Sequence, residues 1–425
     1  MTDNTPIASV DGDVVGMQLL VFNAGSSSLK FDLLETRTGG TPRRLLSGAF
    51  VDAADGSGRF VARIPAAKEA FPTPVNSLAE AATVVLDWLA NPAVHGSDLL
   101  AGVAATVHRI VHGGERFRAT TLLDETELAA LAEVASLAPL HNPPALAVIS
   151  VVRRRLGVMI PVIGVFDTAY FASLPEAAYR YAVPKRWYAE FGIRRYGFHG
   201  TAHRFLCQAV RARLQPSCAT TRIVSLQLGR GCSVTATLGE HAIATSMGFT
   251  PLAGLVMGTR SGDIDPGAVL FMMERTGMTP AEIRRELNEA SGLLGLSGGT
   301  ADMRELLALE RRGDPQAALA LEVFCRRARQ FVAAYIAELG GVDVIAFGGG
   351  IGENSPEIRR RILERFEWAG IELAADANAA SIGVDASIAA ARSRSAIEVV
   401  LVDEASVIAS EGAALLVPRV PRVPL

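Results

Sequence analysis

A chain of 425 residues is too long for one hydrophobic core and is expected to divide into two domains. With 49% hydrophobic residues, 20% charged residues and a formal net charge of -3, it can fill buried cores but has no excess charge for nucleic acid or an anionic membrane surface. The mean hydropathy of +0.27 owes much to alanine, and charges break the most apolar runs short of a membrane-spanning helix.

The N-terminal stretch MTDNTPIASVDGD is acidic and polar, with no basic region ahead of an apolar one. Residues 1–16 are therefore expected to be a loose tail, not a signal peptide. Met17 to Asn23 reads as a strand that enters the turn Asn23 to Ser28, followed by a second strand from Leu29 to Leu34. Small and hydroxyl residues between two strands can wrap N–H groups around a phosphate, and Lys30 lies just past the turn. An ordinary hairpin reads equally well, and no Walker A spacing is present. Further strands are expected at 44–51 and 59–64, and a helix at 77–89. The apolar strand Val103 to Val111 delivers Arg109 beside a Gly-Gly turn, a position suited to holding a carboxylate or phosphate bidentately. A structural pair with Glu115 is the alternative. A helix at 125–137, a stiff loop at 138–144 and a helix at 145–156 precede the strand 161–166, which ends in Asp167. Acids at the carboxyl ends of core strands often meet ligands, and capping of the next segment competes.

His199 sits between Phe198 and Gly200, with Thr201 and His203 at a helix start; the glycine argues against a two-histidine metal site. From Thr221 the opening pattern recurs: strand 223–228, the turn Gly229-Arg230-Gly231, strand 232–238, another turn, strand 242–246. Two related halves facing one cleft are expected from this recurrence. The stretch Thr245 to Pro266 then carries a single arginine, Arg260, among glycines, which suggests backbone close to a ligand and a guanidinium pointing at it. A surface loop whose arginine pairs with Asp263 or Asp265 is the competing reading. Helices at 266–276 and 279–289, a glycine loop at 291–299 and a long helix at 315–339 follow. The strand 342–347 runs into a glycine loop, Gly348 to Asn354, and Ser355-Pro356 opens a helix, a nucleotide-binding context. A strand at 399–402 leads through Glu404, a candidate metal carboxylate or an ordinary helix-start charge, into a last helix at 405–416. Cys207, Cys218, Cys232 and Cys325 lack metal-binding spacing and fit reduced thiols in a cytoplasmic protein.

Taken together, VFNAGSSSLKF, HRIVHGGERF, APLHNP, VFDTAY, RRYGFHGTAHRF, TSMGFTPLAGLVMGTRSGDIDP, SGLLGLSG and FGGGIGENSPEIR resemble the acetate kinase family, in family order over nearly the whole chain. The resemblance implies an α/β, two-domain actin/Hsp70-like (ribonuclease H-like) fold with a duplicated βββαβαβα core and the active site in the interdomain cleft. The first domain would take residues 17–167 plus 405–425, and the second residues 168–404. It also implies a homodimer that transfers a phosphoryl group reversibly between ATP/ADP and acetate/acetyl phosphate with Mg²⁺, or alternatively Mn²⁺. By the same resemblance Arg109 holds the acyl group, Arg260 and His199 stabilise the transferring phosphoryl, and Asp167 orients the acceptor. Asn23 and Glu404 match metal-positioning residues. Val111, Leu140, Phe198 and Pro251 match a pocket for the methyl group. The nucleotide side matches Lys30, Gln227, Leu228, Gly229, Arg230, Gly231, Asp302, Met303, Arg304, Gly350, Ile351, Gly352, Glu353 and Asn354.

One departure stands out. The family's donor-phosphate hairpin usually reads His-Leu-Gly-Asn-Gly, whereas here it is Gln227-Leu228-Gly229-Arg230-Gly231. Alanine and serine at Ala405 and Ser410 also replace residues that are more often charged. A propionate or butyrate kinase, a relative with another phosphoryl donor, and an inactive nucleotide-binding relative are the rival readings.

Overall fold

The computed structural model describes residues 16–25, 28–36, 40–51, 58–64, 67–214 and 220–416. Most of the expected tail, Ser26 and Ser27 of the first turn, Cys218, and residues 417–425 lie outside them. Strands β1 (Met17–Ala24), β2 (Ser28–Thr36), β3 (Arg43–Val51), β4 (Arg59–Ile64), β5 (Ala67–Pro72), β6 (Val103–Ile110), β7 (Thr121–Leu122) and β8 (Val162–Phe166) make one sheet, ordered β5-β4-β3-β2-β1-β6-β8-β7. Strands β9 (Arg222–Leu228), β10 (Cys232–Leu238), β11 (His241–Thr245), β12 (Val344–Gly348), β13 (Ala386–Ser387) and β14 (Ala396–Val399) make a second, ordered β11-β10-β9-β12-β14-β13. Both sheets share one logic. An antiparallel meander leads to a central strand, and two later strands join it in parallel: β6 and β8 beside β1, β12 and β14 beside β9. The recurrence read in the sequence is therefore a duplicated strand topology.

Parallel strands need crossovers and burial on both faces, which explains their continuous apolar runs. On one face of the first sheet, Leu20, Phe22 and Phe31 pack with Leu86 and Val148 from the helices Leu78–Leu89 and Asn142–Leu156. On the other, Leu19, Val21, Val107 and Val165 pack with Ile408 and Ala409 of the last helix, Glu404–Leu416. That helix lies close to the sheet because Gly412 has no side chain; a Cβ there would come within 2.6 Å of Val107. The second sheet is covered by the helix Pro315–Glu338 on one face and by Gly200–Leu214 on the other.

Register then places the chemistry. Asn23 is paired with Arg109 across β1 and β6, and Ile110 with Phe166 across β6 and β8, so Asn23, Arg109 and Asp167 emerge side by side at the strands' carboxyl ends. In the second sheet Gln227 pairs with Gly348 in the same way.

Several boundaries differ from the sequence reading. The loop expected over 138–144 ends early, because Pro143 and Pro144 fill the first turn of the helix Asn142–Leu156, where a missing N–H costs nothing. The loop expected at 291–299 is a helix, Gly292–Ser297, which starts and ends on left-handed glycines, Gly292 and Gly298. The glycine loop after β12 is a six-residue helix, Gly349–Asn354, entered through Gly349 at φ 75°. The last central strand lies at Ala396–Val399, three residues earlier than read; Leu401 and Val402 instead donate their N–H groups to Asp385 and Glu353. Strands β5, β7 and β13 carry too little periodicity to be read.

Candidate active site

Arg109 is the hub. Its Nε donates to Asp167 Oδ1 at 3.0 Å and its Nη2 to Oδ2 at 2.5 Å, while Nη1 donates to Asn23 Oδ1 at 2.9 Å. Those contacts use three of the five guanidinium N–H groups and leave one on each terminal nitrogen, the pair that can meet a carboxylate bidentately. Burial alone would lower the Arg109 pKa, but the carboxylates of Asp167 and Glu404 outweigh it and raise it above its ordinary value. Thr201 Oγ1 lies 3.1 Å from Asp167 Oδ1 and 2.9 Å from Glu404 Oε1, and Asn23 Nδ2 donates to Glu404 Oε2 at 3.2 Å. A Cβ on Gly200 would collide with the Asp167 carbonyl, so glycine lets the helix that carries Thr201 start there.

The proposed Arg109–Glu115 pair does not form; Glu115 accepts from Arg194 and Tyr188 instead. Asp263 and Asp265 do not pair with Arg260 either. Asp263 accepts from the Gly254 N–H and Asp265 caps the helix Pro266–Thr276, while Arg260 Nη1 donates to the Pro251 carbonyl at 3.1 Å. Burial, with Arg230 acting in the same direction, pulls the Arg260 pKa below its ordinary value. His199 has φ 59°, a left-handed backbone that costs a non-glycine residue about 1 kcal/mol or more. Its ring nevertheless reaches the second sheet's hairpin, since a Cβ on Gly231 would lie 3.2 Å from His199 Nε2 and 3.8 Å from Arg260 Nη1.

On the remaining surface, Val111 and Phe198 are buried, Pro251 is half-buried and Leu140 is 47% exposed at the outer edge. A cavity of about 600 Å³ is lined by Asn23, Lys30, Gln227, Gly349, Gly350, Glu353 and Glu404, so Lys30 and the glycine helix face the space beside Asn23 and Glu404. Gln227 Oε1 is buried without a hydrogen-bond partner among the described residues. The helix Gly349–Asn354 is braced from behind by fully buried Arg359, which donates to the carbonyls of Gly352, Asn378 and Ser381. Ile351 and Gly352 lie within this helix, Glu353 Oε1 accepts from the Gly349 N–H, and Asn354 donates to the Gly350 carbonyl. Asp302 caps the helix Met303–Arg311 and is also bound by Arg304, whose hydrogen bonds hold its carboxyl down at about 2, while Met303 is buried. In the hairpin, Leu228 is buried, Gly229 donates its N–H to the Gly231 carbonyl, and Arg230 is exposed at the rim.

Residues 18–410 match the model of the acetokinase family. The chain belongs to that family. An acetate kinase of Solibacter usitatus is 42% identical over 403 residues, covering 93% of this chain and 97% of the relative. Its counterpart from Bacteroides thetaiotaomicron is 40% identical, covering 93% and 98%. Among solved structures, the acetate kinase of Porphyromonas gingivalis superposes with a TM-score of 0.86 at 35% identity, covering 94% of this chain and all of that one. A propionate kinase of Francisella tularensis superposes at 0.85 with 34% identity, covering 93% and 98%. The fold is thus that of the acetokinases, the actin/Hsp70-like one, and the chain is a phosphotransferase with a carboxyl group as acceptor.

Within this family frame, three residues join the cluster that sequence reasoning did not assign to it. Thr201 links the two carboxylates; its only signal was its place after His199-Gly200. His141 lies close enough to Arg260 and Arg109 that, after burial, both charges help lower its pKa to about 4. Its signal was a histidine fixed between prolines in APLHNPP. Ser233 accepts or donates at 2.9 Å to His199 Nδ1 and was not legible at all.

Burial also lowers His112 to about 4 and His108 to about 3, and pushes His199 and His203 down from the ordinary 6.5. Below pH 6.5 the unfolded chain takes up protons that these native rings refuse, so their stabilising effect is complete above that pH and declines as pH falls towards 4. The melting temperature should therefore drop steadily between pH 7 and pH 5. A flat profile across that window in differential scanning calorimetry would contradict the neutral assignment of these histidines.

Proposed function

We propose that this acetokinase transfers the γ-phosphoryl group of ATP to acetate, giving acetyl phosphate and ADP, and catalyses the reverse reaction. The observation that carries this reading is the Arg109 fork: two N–H groups remain on a guanidinium otherwise fixed by Asp167 and Asn23, with Arg260 and two neutral histidines close by. In this reading the fork holds the acyl carboxylate. Arg260, His199 and His141 stabilise the equatorial oxygens as negative charge moves between donor and acceptor. Asp167 orients Arg109 and the acceptor. Val111, Phe198 and Pro251 receive the methyl group, with Leu140 at the outer edge. Gly229 to Gly231, Asp302 to Arg304 and Gly350 to Asn354 take the nucleotide, with Lys30 across the cleft.

Magnesium on a nucleotide keeps several waters and needs only one or two protein oxygens besides the phosphates. Asn23 and Glu404, held 3.2 Å apart on the cavity wall, fit that donor set, and no cluster of three metal-type ligands occurs among the described residues. Mg²⁺ held there would neutralise charge on the donor phosphates. We assign residues 17–167 with 405–425 to one domain and 168–404 to the other, each built on one sheet. Cytoplasmic location is part of the same proposal; no helix among the described residues is long and apolar enough to cross a membrane.

A homodimer belongs to the proposal as well. The helix Pro266–Thr276 buries none of its residues, yet Leu270 is 60% and Phe271 62% exposed, with Ile264 at 45% beside them. An apolar helix face left this exposed fits a second copy. Phe271→Glu should shift the sedimentation coefficient from dimer to monomer; a wild-type protein that sediments as a monomer would remove the dimer.

A second reading, an altered phosphoryl donor, is favoured by one observation: Arg230 is exposed near Arg260, and its guanidinium has no hydrogen bond or ion pair among the described residues. The hydroxamate assay for acyl phosphate tests both points. Acetate should give a higher kcat/KM than propionate or butyrate, and ATP should serve as donor. Replacement of Arg230 by asparagine should raise the KM for the donor and narrow its range over ATP, GTP and pyrophosphate. Preference for butyrate, or no acyl phosphate from any acid, would refute the principal reading.

A further inference from the structure

We infer that Ser233 and His203 are positioning residues that hold His199 in its neutral Nε2–H form, so that the nitrogen facing the cleft is a hydrogen-bond donor. The inference rests on the assignment of His199 to the transferring phosphoryl group and adds how this chain prepares the ring. His199 Nδ1 lies 2.9 Å from Ser233 Oγ, which lies 2.7 Å from His203 Nε2; His203 Nδ1 lies 2.8 Å from Ser225 Oγ. His203, Ser225 and Ser233 are fully buried, so no water competes along this row.

A serine hydroxyl has one hydrogen and sits here between two ring nitrogens. With both rings neutral, an arrangement in which Ser233 accepts from both rings leaves its own hydrogen without an acceptor among the described residues, so two arrangements remain. In the first, Ser225 donates to His203 Nδ1, His203 Nε2 donates to Ser233, and Ser233 donates to His199 Nδ1, which leaves the proton of His199 on Nε2. In the second every bond is reversed and His199 Nε2 carries a lone pair. The second arrangement turns the Ser225 hydrogen towards the Thr235 carbonyl at 3.5 Å, beyond the usual O–H···O range, or towards the weak acceptor Cys207. The first uses that hydrogen at 2.8 Å and leaves no buried hydroxyl unpaired. It is the arrangement selected. Burial keeps both rings neutral, with Arg109 and Arg260 acting in the same sense at His199. The row of bonds therefore supplies a directed N–H beside Gly231 without adding a third charge next to two arginines.

The test combines ¹⁵N spectra of protein labelled at its seven histidines with steady-state kinetics. At pH 7.5 the His199 ring of the parent protein should show the Nε2–H tautomer. Ser233→Ala should give a mixture of tautomers and lower kcat about 10- to 100-fold, the range for one hydrogen bond to a charged group, with the KM for acetate within about twofold. His203→Gln retains a side-chain N–H that can donate to Ser233 and should preserve the tautomer and most of kcat. An Nδ1–H tautomer in the parent, or an unchanged tautomer and kcat in Ser233→Ala, overturns the inference. The parent spectrum decides even if the alanine variant does not fold. It is read without turnover, so a parent that forms no acyl phosphate would defeat the functional reading while the tautomer result stands.

Discussion

The structure turns on one buried ion pair, Arg109 with Asp167. The side chain of Asp167 is fully buried and that of Arg109 nearly so, and removing two charges from water costs several kcal/mol per ion before their attraction is counted. A hydrophobic pair of similar volume could fill the same space, so stability alone gives no reason for these charges. They are tolerated because three strand ends deliver every remaining contact: Asn23 from β1, Arg109 from β6 and Asp167 after β8, with Thr201 and Glu404 brought by the two helices that start beside them. The outcome is a guanidinium whose orientation is fixed and which keeps one unused N–H on each terminal nitrogen.

The duplicated topology explains why a second set of groups faces the first. The β9–β10 hairpin and the helix after β12 stand where the β1–β2 turn and the segment after β6 stand in the other sheet. Because Gly231 has no side chain, His199 and Arg260 can both approach the hairpin backbone. Buried Arg359, bonded to neutral acceptors, fixes the carboxyl end of the helix Gly349–Asn354, where a positive charge suits the helix dipole. Positive charge is thus held at several depths around one cleft, while the histidines among it are kept neutral by burial.

Much of this was legible in the sequence, for physical reasons. Apolar runs that end in Asn23, Arg109 and Asp167 announced core strands with polar termini, and period and length alone located them to within a residue or two. The repeat of strand, glycine turn and strand revealed the duplication. Glycine-rich stretches misled, however. SGLLGLSGG and GGGIGEN read as loops by composition, yet each contains a short helix, because left-handed glycines at the helix starts, Gly292 and Gly349, admit the chain where a Cβ would strike backbone. Thr201, His141 and Ser233 could not be assigned from sequence, since their roles depend on distances between segments far apart in the chain. Leu140 shows the converse, a residue matched by motif that the structure leaves largely at the surface.

The central claim is that the free fork of Arg109 receives the acyl carboxylate. A crystal structure of the protein with ADP, Mg²⁺ and acetate tests it most directly. The acetate oxygens should lie within hydrogen-bonding distance of Arg109 Nη1 and Nη2, the methyl group against Val111 and Phe198, and the Arg109–Asp167 pair should remain intact. Acetate bound elsewhere in the cleft, with the Arg109 fork turned to the nucleotide phosphates, would contradict it.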